Sequence, residues 1–95
     1  MAKESGIKHI TRERAEQISK HVFTVQHDYE NYSNGELKSV AVYLITGDED
    51  YWPGSWSLQW LNKFRAMPER ERLARAGAML AAEIDRAELA KQLEA

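Results

Sequence analysis

The chain has 95 residues, of which 43% are hydrophobic and 29% are charged, and its formal net charge at pH 7 is −2. This length and composition are typical of one folded domain, and the small negative charge excludes strong attraction of the whole molecule to nucleic acid or to an anionic membrane. Because the chain contains no cysteine, it forms neither disulfides nor a thiolate zinc site.

The beginning of the chain shows no targeting segment. Its first ten residues, MAKESGIKHI, carry charges and lack the apolar core of a signal peptide. No apolar run approaches the ~20 residues that cross a bilayer. We therefore expect a soluble protein that works in the cytoplasm, with residues 1–10 as a flexible arm and residues 11–95 as a single helical domain.

The hydrophobic pattern predicts an all-α fold with three main helices, one short aromatic helix and two long ordered loops. The first helix is expected to start at Thr11 as its N-cap and to run to about His21. Its buried face would then hold Ala15, Ile18 and Val22, and Ile10 would fold back onto Ala15 as a staple. Residues 23–35 have no helical period and many turn-forming residues, so they predict an ordered loop, with a short strand at its start as an alternative.

A second helix follows this loop. Ser33 and Glu36 have the spacing of a capping box, and Gly47 is the expected end of the helix. Between them, apolar residues recur at helical spacing, which predicts a strongly amphipathic helix with this buried face: Leu37, Val40, Ala41, Leu44 and Ile45.

The last third of the chain predicts two more helices. A short one over residues 55–64 would place Trp56 and Trp60 on one side, and a long one would run from Pro68 to about Leu93. The long helix is apolar or small on every side over residues 74–82, which is typical of a helix buried all round. At roughly 39 Å it would be longer than a globule about 32 Å across. We therefore expect a homo-oligomer that forms through this helix.

The pair His27 and Asp28 is the first candidate for chemistry, since an imidazole beside a carboxylate can bind a metal or move a proton. Acids from several helices could join the pair in a magnesium site for phosphate chemistry. These are Glu13, Glu16, Glu36, Glu83 and Asp85. The alternative interpretation is that the pair makes hydrogen bonds to the loop backbone and that the helix acids face water.

A basic and aromatic segment is the second candidate. Residues 63–75 contain five cations and open onto a helix start, where phosphate binds well. As ligand-binding residues we take Tyr51, Trp56 and Trp60 for stacking on a base, and Arg65, Arg70 and Arg72 for phosphate, together with His27 and Asp28. The alternative is an ordinary solvated turn beside a small aromatic core. A glycine-rich phosphate loop, a G-x-S-x-G elbow and a two-histidine zinc helix are all absent from the sequence.

The order of motifs resembles a widespread family of short accessory proteins encoded by tailed phages and prophages, a family without an established biochemical role. The family pattern is E-R-x-x-Q-I, G-[WF]-T-x-E-H-D, G-E-L, an alanine-rich helix ending in Tyr, W-P-W, and A-G-A-L-x-x-A-E-I-D-R. Its counterparts begin here at Glu13, Phe23, Gly35, Val40, Trp52 and Ala76, and they cover about residues 12–87. The chain departs from the pattern at Val22, Gln26 and Tyr29, and the resulting shortage of acids near His27 disfavours a metal-dependent catalytic site.

The resemblance implies manipulation of a bacterial host, including inhibition of its defences, and hence a place in the host cytoplasm. Three functions follow as hypotheses. The first is a binding protein that sequesters a nucleotide-derived signal without a cofactor. The second is an inhibitor that presents the acidic residues 48–50 to a host defence protein such as a CRISPR effector. The third is a nucleotide hydrolase that depends on magnesium.

Overall fold

The computed structural model describes residues 5–21 and 24–94, and this part of the chain contains helices and one 3₁₀ turn but no strand. Its helices are α1 (Gly6–His21), α2 (Val25–Asn31), α3 (Glu36–Thr46), α4 (Leu58–Arg65) and α5 (Glu69–Leu93), and the 3₁₀ turn is Glu49–Tyr51. The predicted all-α class is confirmed for these residues. None of the described helices is both long and apolar enough to span a membrane.

Helix α5 is the centre of the fold, because α1, α2 and α3 all pack against it. Its 25 residues extend about 37 Å, which exceeds the 31 and 21 Å of the two shorter dimensions of the molecule. Alanines at its contacts allow close approach, and Ala78 and Ala82 are completely buried. Within the apolar stretch 74–82, Leu80 is 43% exposed, so the single chain does not bury this stretch on every side. Leu73 and Ile84, just outside the stretch and on the same side of the helix, are 45% and 63% exposed.

Helix α3 supplies most of the core and follows the prediction closely. Four of the five predicted positions are at most 1% exposed, namely Leu37, Val40, Ala41 and Leu44. The fifth, Ile45, is 51% exposed, and Tyr43 is buried in addition. Gly47 ends the helix as predicted, in the left-handed conformation that glycine tolerates (φ 77°).

The predicted capping box at the start of α3 is wrong. The N-cap residue is Gly35, whose φ of 84° is left-handed and which has no side chain to accept a hydrogen bond. Ser33 instead donates its hydroxyl to the carbonyl of Tyr29 at 2.5 Å. The carboxylate of Glu36 accepts from the backbone N–H of Asn34 at 2.8 Å, so this acid still satisfies one backbone donor at the turn.

Helix α1 begins five residues earlier than predicted, and its buried face is polar. Thr11 lies inside the helix, where its hydroxyl donates to the carbonyl of Ile7 at 2.8 Å. Ala15 and Ile18 are exposed, whereas Gln17 is only 2% exposed. Val22 lies outside the described residues. The predicted staple onto Ala15 does not form, because Ile10 packs where α1 crosses Gly77 of α5.

Residues 25–31 form α2 instead of the predicted loop or strand. Thr24 is the N-cap, and its side chain accepts a hydrogen bond from the backbone N–H of His27 at 3.2 Å. The helix then packs against α5 and completely buries Asp28. A seven-residue helix is too short to be stable by itself, so the cap and this packing must stabilise it.

The two predicted helices of the last third are present with shifted starts. Ser57 caps α4 by accepting from the N–H of Gln59 at 3.0 Å, so α4 starts three residues later than predicted and Trp56 lies before it. Pro68 is the N-cap of α5, with an extended ψ of 152°, rather than its first helical residue as predicted. The helix therefore starts one residue later than expected, at Glu69. Glu69 and Glu71 occupy the first turn of α5, where carboxylates stabilise the helix dipole.

Candidate functional site

An aromatic cluster joins the end of α2 to the segment before α4. The ring centroids of Tyr32 and Trp56 are 5.0 Å apart, and those of Trp56 and Trp60 are 5.3 Å apart in an edge-to-face arrangement. Trp52 contacts Trp56 edge to face at 5.7 Å and Phe64 at 5.6 Å. Such pairs prefer this geometry and hold each other in place. The cluster therefore connects the two segments that the sequence left as separate loops.

A surface groove runs between these two segments, and we call it the Trp60 groove. Its volume is about 410 Å³, within the roughly 300–1,000 Å³ of pockets that bind small molecules. Trp56 is 6% exposed and forms the floor, while Trp60 is half-buried. The groove is lined by His27, Asn31, Tyr32, Ser55, Trp56, Ser57 and Trp60. Flat aromatic rings and small polar side chains thus face one space.

A buried ionic network lies behind His27. Nδ1 of His27 is 3.3 Å from Oδ1 of Asp28, whose side chain is completely buried. Oδ2 of Asp28 is 4.0 Å from Nη1 of Arg14, and Nη2 of Arg14 is 3.3 Å from Oδ2 of Asp85. The network joins α1, α2 and α5, and it orients the imidazole at the wall of the groove.

Burial governs the ionisation of Asp28. Desolvation raises the pKa of its carboxyl above the ordinary 3.8, against the opposing effects of the His27 hydrogen bond and of the Arg14 charge. Asn31, one helical turn after His27, donates its amide to the carbonyl of His27 at 2.9 Å. Asp28 and Asn31 therefore fix both the ring and the backbone of His27, while Asp28 itself stays out of the groove.

A smaller cavity, the Gln17 cavity, adjoins the groove across the Trp56–Trp60 pair, which lines both spaces. Its volume is about 30 Å³, room for about two water-sized groups. It is lined by Gln17, Trp56, Trp60, Lys63, Phe64, Arg75 and Met79. Arg75 is held above the ring of Phe64, 5.7 Å from the ring centroid, which is a favourable arrangement of cation and aromatic face.

The predicted phosphate-binding arginines lie elsewhere. Arg65, at the end of α4, donates from Nε to Oε2 of Glu49 at 2.5 Å and from Nη2 to the other oxygen of this acid. Arg72 packs against Gly47 at the carboxyl end of α3, where a cation is electrostatically favoured. Arg70 lines a third depression, between the starts of α1 and α5. None of the three lines the Trp60 groove.

Tyr51 is likewise separate from the groove. It ends the 3₁₀ turn, is 46% exposed, and its backbone carbonyl accepts a hydrogen bond from the hydroxyl of Ser39. The structure thus brings together three of the eight predicted ligand-binding side chains, those of His27, Trp56 and Trp60, with Asp28 directly behind the first.

The acids expected to hold magnesium have other partners. Glu13 lies 3.5 Å from Arg75, Glu83 lies 2.7 Å from Arg86, and Asp85 contacts Arg14. Glu16 pairs with Lys20 at 3.7 Å. Among residues 5–21 and 24–94, no group of three or more His, Asp or Glu side chains is placed to share a metal ion. These acids contribute ion pairs between helices or within one helix.

Sequence reasoning did not find several residues of the groove and the cavity: Gln17, Asn31, Tyr32, Ser55 and Ser57. Lys63 and Arg75 belong to the basic segment that it did single out, but they were not among the residues chosen as phosphate ligands. For Asn31 the signal was available, because a helix over residues 25–31 places it four residues after His27 on the same face. Gln17 and Arg75 could be assigned to the cavity only by knowing which face of α1 packs against α5. The local periodicity of the sequence did not indicate that face.

Comparison of the chain with protein-family models, with curated protein sequences and with solved structures gives no match.

Proposed function

We propose that this protein binds a nucleotide-derived small molecule in the Trp60 groove and sequesters it. The observation that carries the proposal is the convergence of Tyr32, Trp56, Trp60 and His27 on one open space of about 410 Å³. A nucleobase is planar and has polar edges. Aromatic faces take up its plane, and the hydroxyls and amide at the margin of the groove suit its edges.

The rings of the groove are organised before any ligand arrives. Trp60 is held edge to face by Trp56, which is itself held by Tyr32 and Trp52. A preformed wall reduces the ordering cost of binding. Stacking of a base on such a ring is worth about 1–3 kcal/mol, and a hydrogen bond adds about 0.5–1.5 kcal/mol. One stacked base and a few hydrogen bonds therefore correspond to dissociation constants in the millimolar to upper micromolar range.

Sequestration rather than turnover is proposed because the acids expected to hold magnesium face arginines instead. Glu13, Glu83 and Asp85 pair with Arg75, Arg86 and Arg14 in turn, and these pairs reduce the negative charge that would attract the ion. The resemblance of the sequence to phage accessory proteins supports a host signal as the bound molecule and defence inhibition as the role.

A second candidate function, inhibition of a host defence protein, is favoured by the acidic 3₁₀ turn. Asp48, Glu49, Asp50 and the adjacent Tyr51 are all exposed. Oδ1 of Asp48 accepts from the N–H of Asp50 at 3.0 Å, and Arg65 binds Glu49, so the turn is held in one shape. Arg65 also removes part of its negative charge, and for that reason we rank this candidate second.

The test is calorimetric titration of the protein with the four ribonucleosides, their 5′-monophosphates and cyclic nucleotides. Trp60→Leu removes the stacking face, and Tyr51→Leu is the matched control because Tyr51 is an exposed aromatic residue outside the groove. We expect one class of base to bind, Trp60→Leu to weaken binding at least about tenfold, and Tyr51→Leu to leave it unchanged. Equal effects of both variants, or no binding of any compound at millimolar concentration, would contradict the proposal.

A further inference from the structure

The Gln17 cavity contains buried polar groups that the aromatic groove does not use. Gln17 is 2% exposed. Its Oε1 accepts a hydrogen bond from Nη1 of Arg14 at 3.3 Å. Because a guanidinium only donates, this contact distinguishes the oxygen of the amide from its nitrogen. The Nε2 group at the other end has no hydrogen-bond partner among the described residues. A buried N–H without a partner is unfavourable by about 1–3 kcal/mol, so an acceptor in the cavity would stabilise it.

Two cations line the same cavity, Lys63 and Arg75. Arg75 is close to Glu13 at 3.5 Å and to Glu71 at 3.8 Å, distances longer than those of good hydrogen bonds. Nε of Arg75 makes no hydrogen bond within the described part of the chain. Its N–H groups are therefore oriented by charge and by the ring of Phe64, and they keep the capacity to donate.

The polar side chains around the cavity thus present donors: an amide NH₂, an ammonium and a guanidinium. The one strong side-chain acceptor, Oε1 of Gln17, is already used by Arg14. A set of donors favours an anion over a cation or a neutral amide, and its positive charge comes mainly from Lys63, because Glu13 and Glu71 compensate part of the charge of Arg75. Because about 30 Å³ holds about two water-sized groups, the anion must enter with two oxygens while the remainder of the molecule stays outside.

We infer that the Gln17 cavity is the anion subsite of the Trp60 groove, where Gln17, Lys63 and Arg75 receive a phosphate group of the nucleotide whose base lies against Trp60. The inference rests on the proposed function, and it names the substrate class as a nucleoside phosphate rather than a free nucleoside or base. The adjoining position of the two spaces supports it, since Trp56 and Trp60 line both. It also replaces the predicted phosphate ligands Arg65, Arg70 and Arg72 with residues that line the cavity.

The first measurement uses inorganic phosphate alone and the ¹⁵N-labelled full chain at constant ionic strength, with chloride as the balancing anion. The side-chain amide resonances of Gln17 should shift saturably as phosphate is added. Lys63→Met should raise the apparent dissociation constant about tenfold, as expected for the loss of a charged donor. Lys38→Met is the matched control, because Lys38 is exposed and lines neither space, and it should change that constant by less than about twofold. A shift that is absent or linear in phosphate would overturn the subsite and leave a cavity that holds ordered water.

The second measurement separates the subsite from the groove. A nucleoside and its 5′-monophosphate are titrated into the wild type, Lys63→Met and Gln17→Met. We expect the monophosphate to bind at least about tenfold more tightly than the nucleoside, and both variants to remove that difference without weakening nucleoside binding. If the nucleoside binds and its 5′-monophosphate binds no more tightly, the anion subsite is wrong, while the proposal that the Trp60 groove binds a base is supported. If inorganic phosphate shifts the side-chain amide resonances of Gln17 while no nucleoside binds, the anion site is supported and the proposal for the Trp60 groove is contradicted.

Discussion

The carboxylate of Asp28 lies 4.0 Å from the guanidinium of Arg14, and both side chains are buried, with 0% and 11% of their surfaces exposed. Arg14 continues to Asp85 at 3.3 Å, and Asp28 continues to His27 at the same distance. Asp28, Arg14 and Asp85 therefore form a row of alternating charges that joins three helices and runs from the buried Asp28 to the half-exposed Asp85. Arg14 attracts the Asp28 carboxylate from 4.0 Å, and this attraction opposes but does not outweigh the cost of taking that carboxylate out of water.

The first prediction concerns the pH dependence of stability and Asp28. Burial raises the pKa of this carboxyl in the folded state, so its protonated form is the one the fold favours. The stability it contributes is fully present below the unfolded pKa of 3.8 and is lost as the pH rises through the folded pKa. Asp28→Asn mimics the protonated form. We therefore expect the free energy of unfolding of this variant, relative to that of the wild type, to increase between about pH 3.5 and pH 7.

Urea unfolding at about pH 3.5, 5 and 7 measures this difference. Asp50→Asn is the matched control, because Asp50 is exposed in the 3₁₀ turn, and its effect should be nearly constant over the same range. Glu13, whose pKa burial also raises, is present in all three proteins and cancels in the comparison. A difference for Asp28→Asn that is flat with pH would contradict a raised pKa of Asp28, and a difference that falls as the pH rises would show that the fold favours the carboxylate.

Much of the fold follows from the sequence where a helix obeys simple hydrophobic periodicity. Helix α3 shows this, since four apolar residues at helical spacing are its buried face and Gly47 is its end. Helix α1 does not, because its inward face carries Glu13, Arg14 and Gln17. Glu13 pairs with Arg75, and Arg14 pairs with Asp28 and Asp85. These partners are distant in sequence. A rule that assigns apolar residues to the interior selects the wrong face when the interior is an ionic network.

The candidate site was predictable in part for the same reason. Aromatic residues at a four-residue spacing indicated the Trp56–Trp60 pair, and His27 stood out because it is followed by Asp28. The predicted arginines were assigned by proximity in sequence, whereas their positions depend on tertiary partners such as Glu49 for Arg65. Helix α2, which carries His27 to the groove, depends on Thr24 as its cap and on packing against α5, so local propensity did not indicate it.

The second prediction tests the crossing of α1 and α5. A Cβ atom on Gly77 would lie 2.6 Å from Cδ1 and 2.7 Å from Cγ1 of Ile10, closer than real contacts allow. Gly77→Ala should therefore destabilise the protein by about 1–3 kcal/mol, less the roughly 0.5–1 kcal/mol that alanine adds to helix propensity. Chemical denaturation measures the effect. In an Ile10→Ala background the clash is absent, so Gly77→Ala should become neutral or stabilising. A cost that is equal in both backgrounds would locate the strain elsewhere.

The third prediction separates structural from ligand-binding tryptophans. Trp56 is 6% exposed and touches Tyr32, Trp52 and Trp60, so Trp56→Ala should destabilise the fold by about 3–5 kcal/mol. Trp60 is half-buried at the groove, and its truncation should cost roughly half as much or less. Thermal unfolding of both variants checks this order. The reverse order would mean that Trp60 is a core residue and a poor probe of ligand binding.

The fourth prediction concerns Arg65, which sequence patterning placed among the phosphate ligands. Two hydrogen bonds from its guanidinium to Glu49 lower the pKa of that carboxyl and raise the pKa of the guanidinium. We expect Arg65→Met to leave the affinity for a nucleoside monophosphate within about twofold of wild type, while Lys63→Met weakens it. Each variant removes one positive charge from the same helix, so calorimetry on both compares a charge that lines the cavity with one that is paired to Glu49 outside it. Equal losses of affinity in the two variants would indicate long-range electrostatic attraction rather than a specific anion site that includes Lys63.

The fifth prediction concerns self-association, which the alanine-rich sequence of α5 led us to expect. Leu73, Leu80 and Ile84 recur at intervals of seven and four residues on one face of the helix, and each is at least 43% exposed. Exposed apolar residues in such a row are typical of a helix that packs against another copy. Leu80→Glu should therefore convert an oligomer to a monomer in sedimentation equilibrium at micromolar concentration. Leu58→Glu is the control, because Leu58 is 71% exposed on α4, and it should leave the mass unchanged. A wild type that is monomeric at high concentration would exclude this contact and leave the groove and its cavity to act within a single chain.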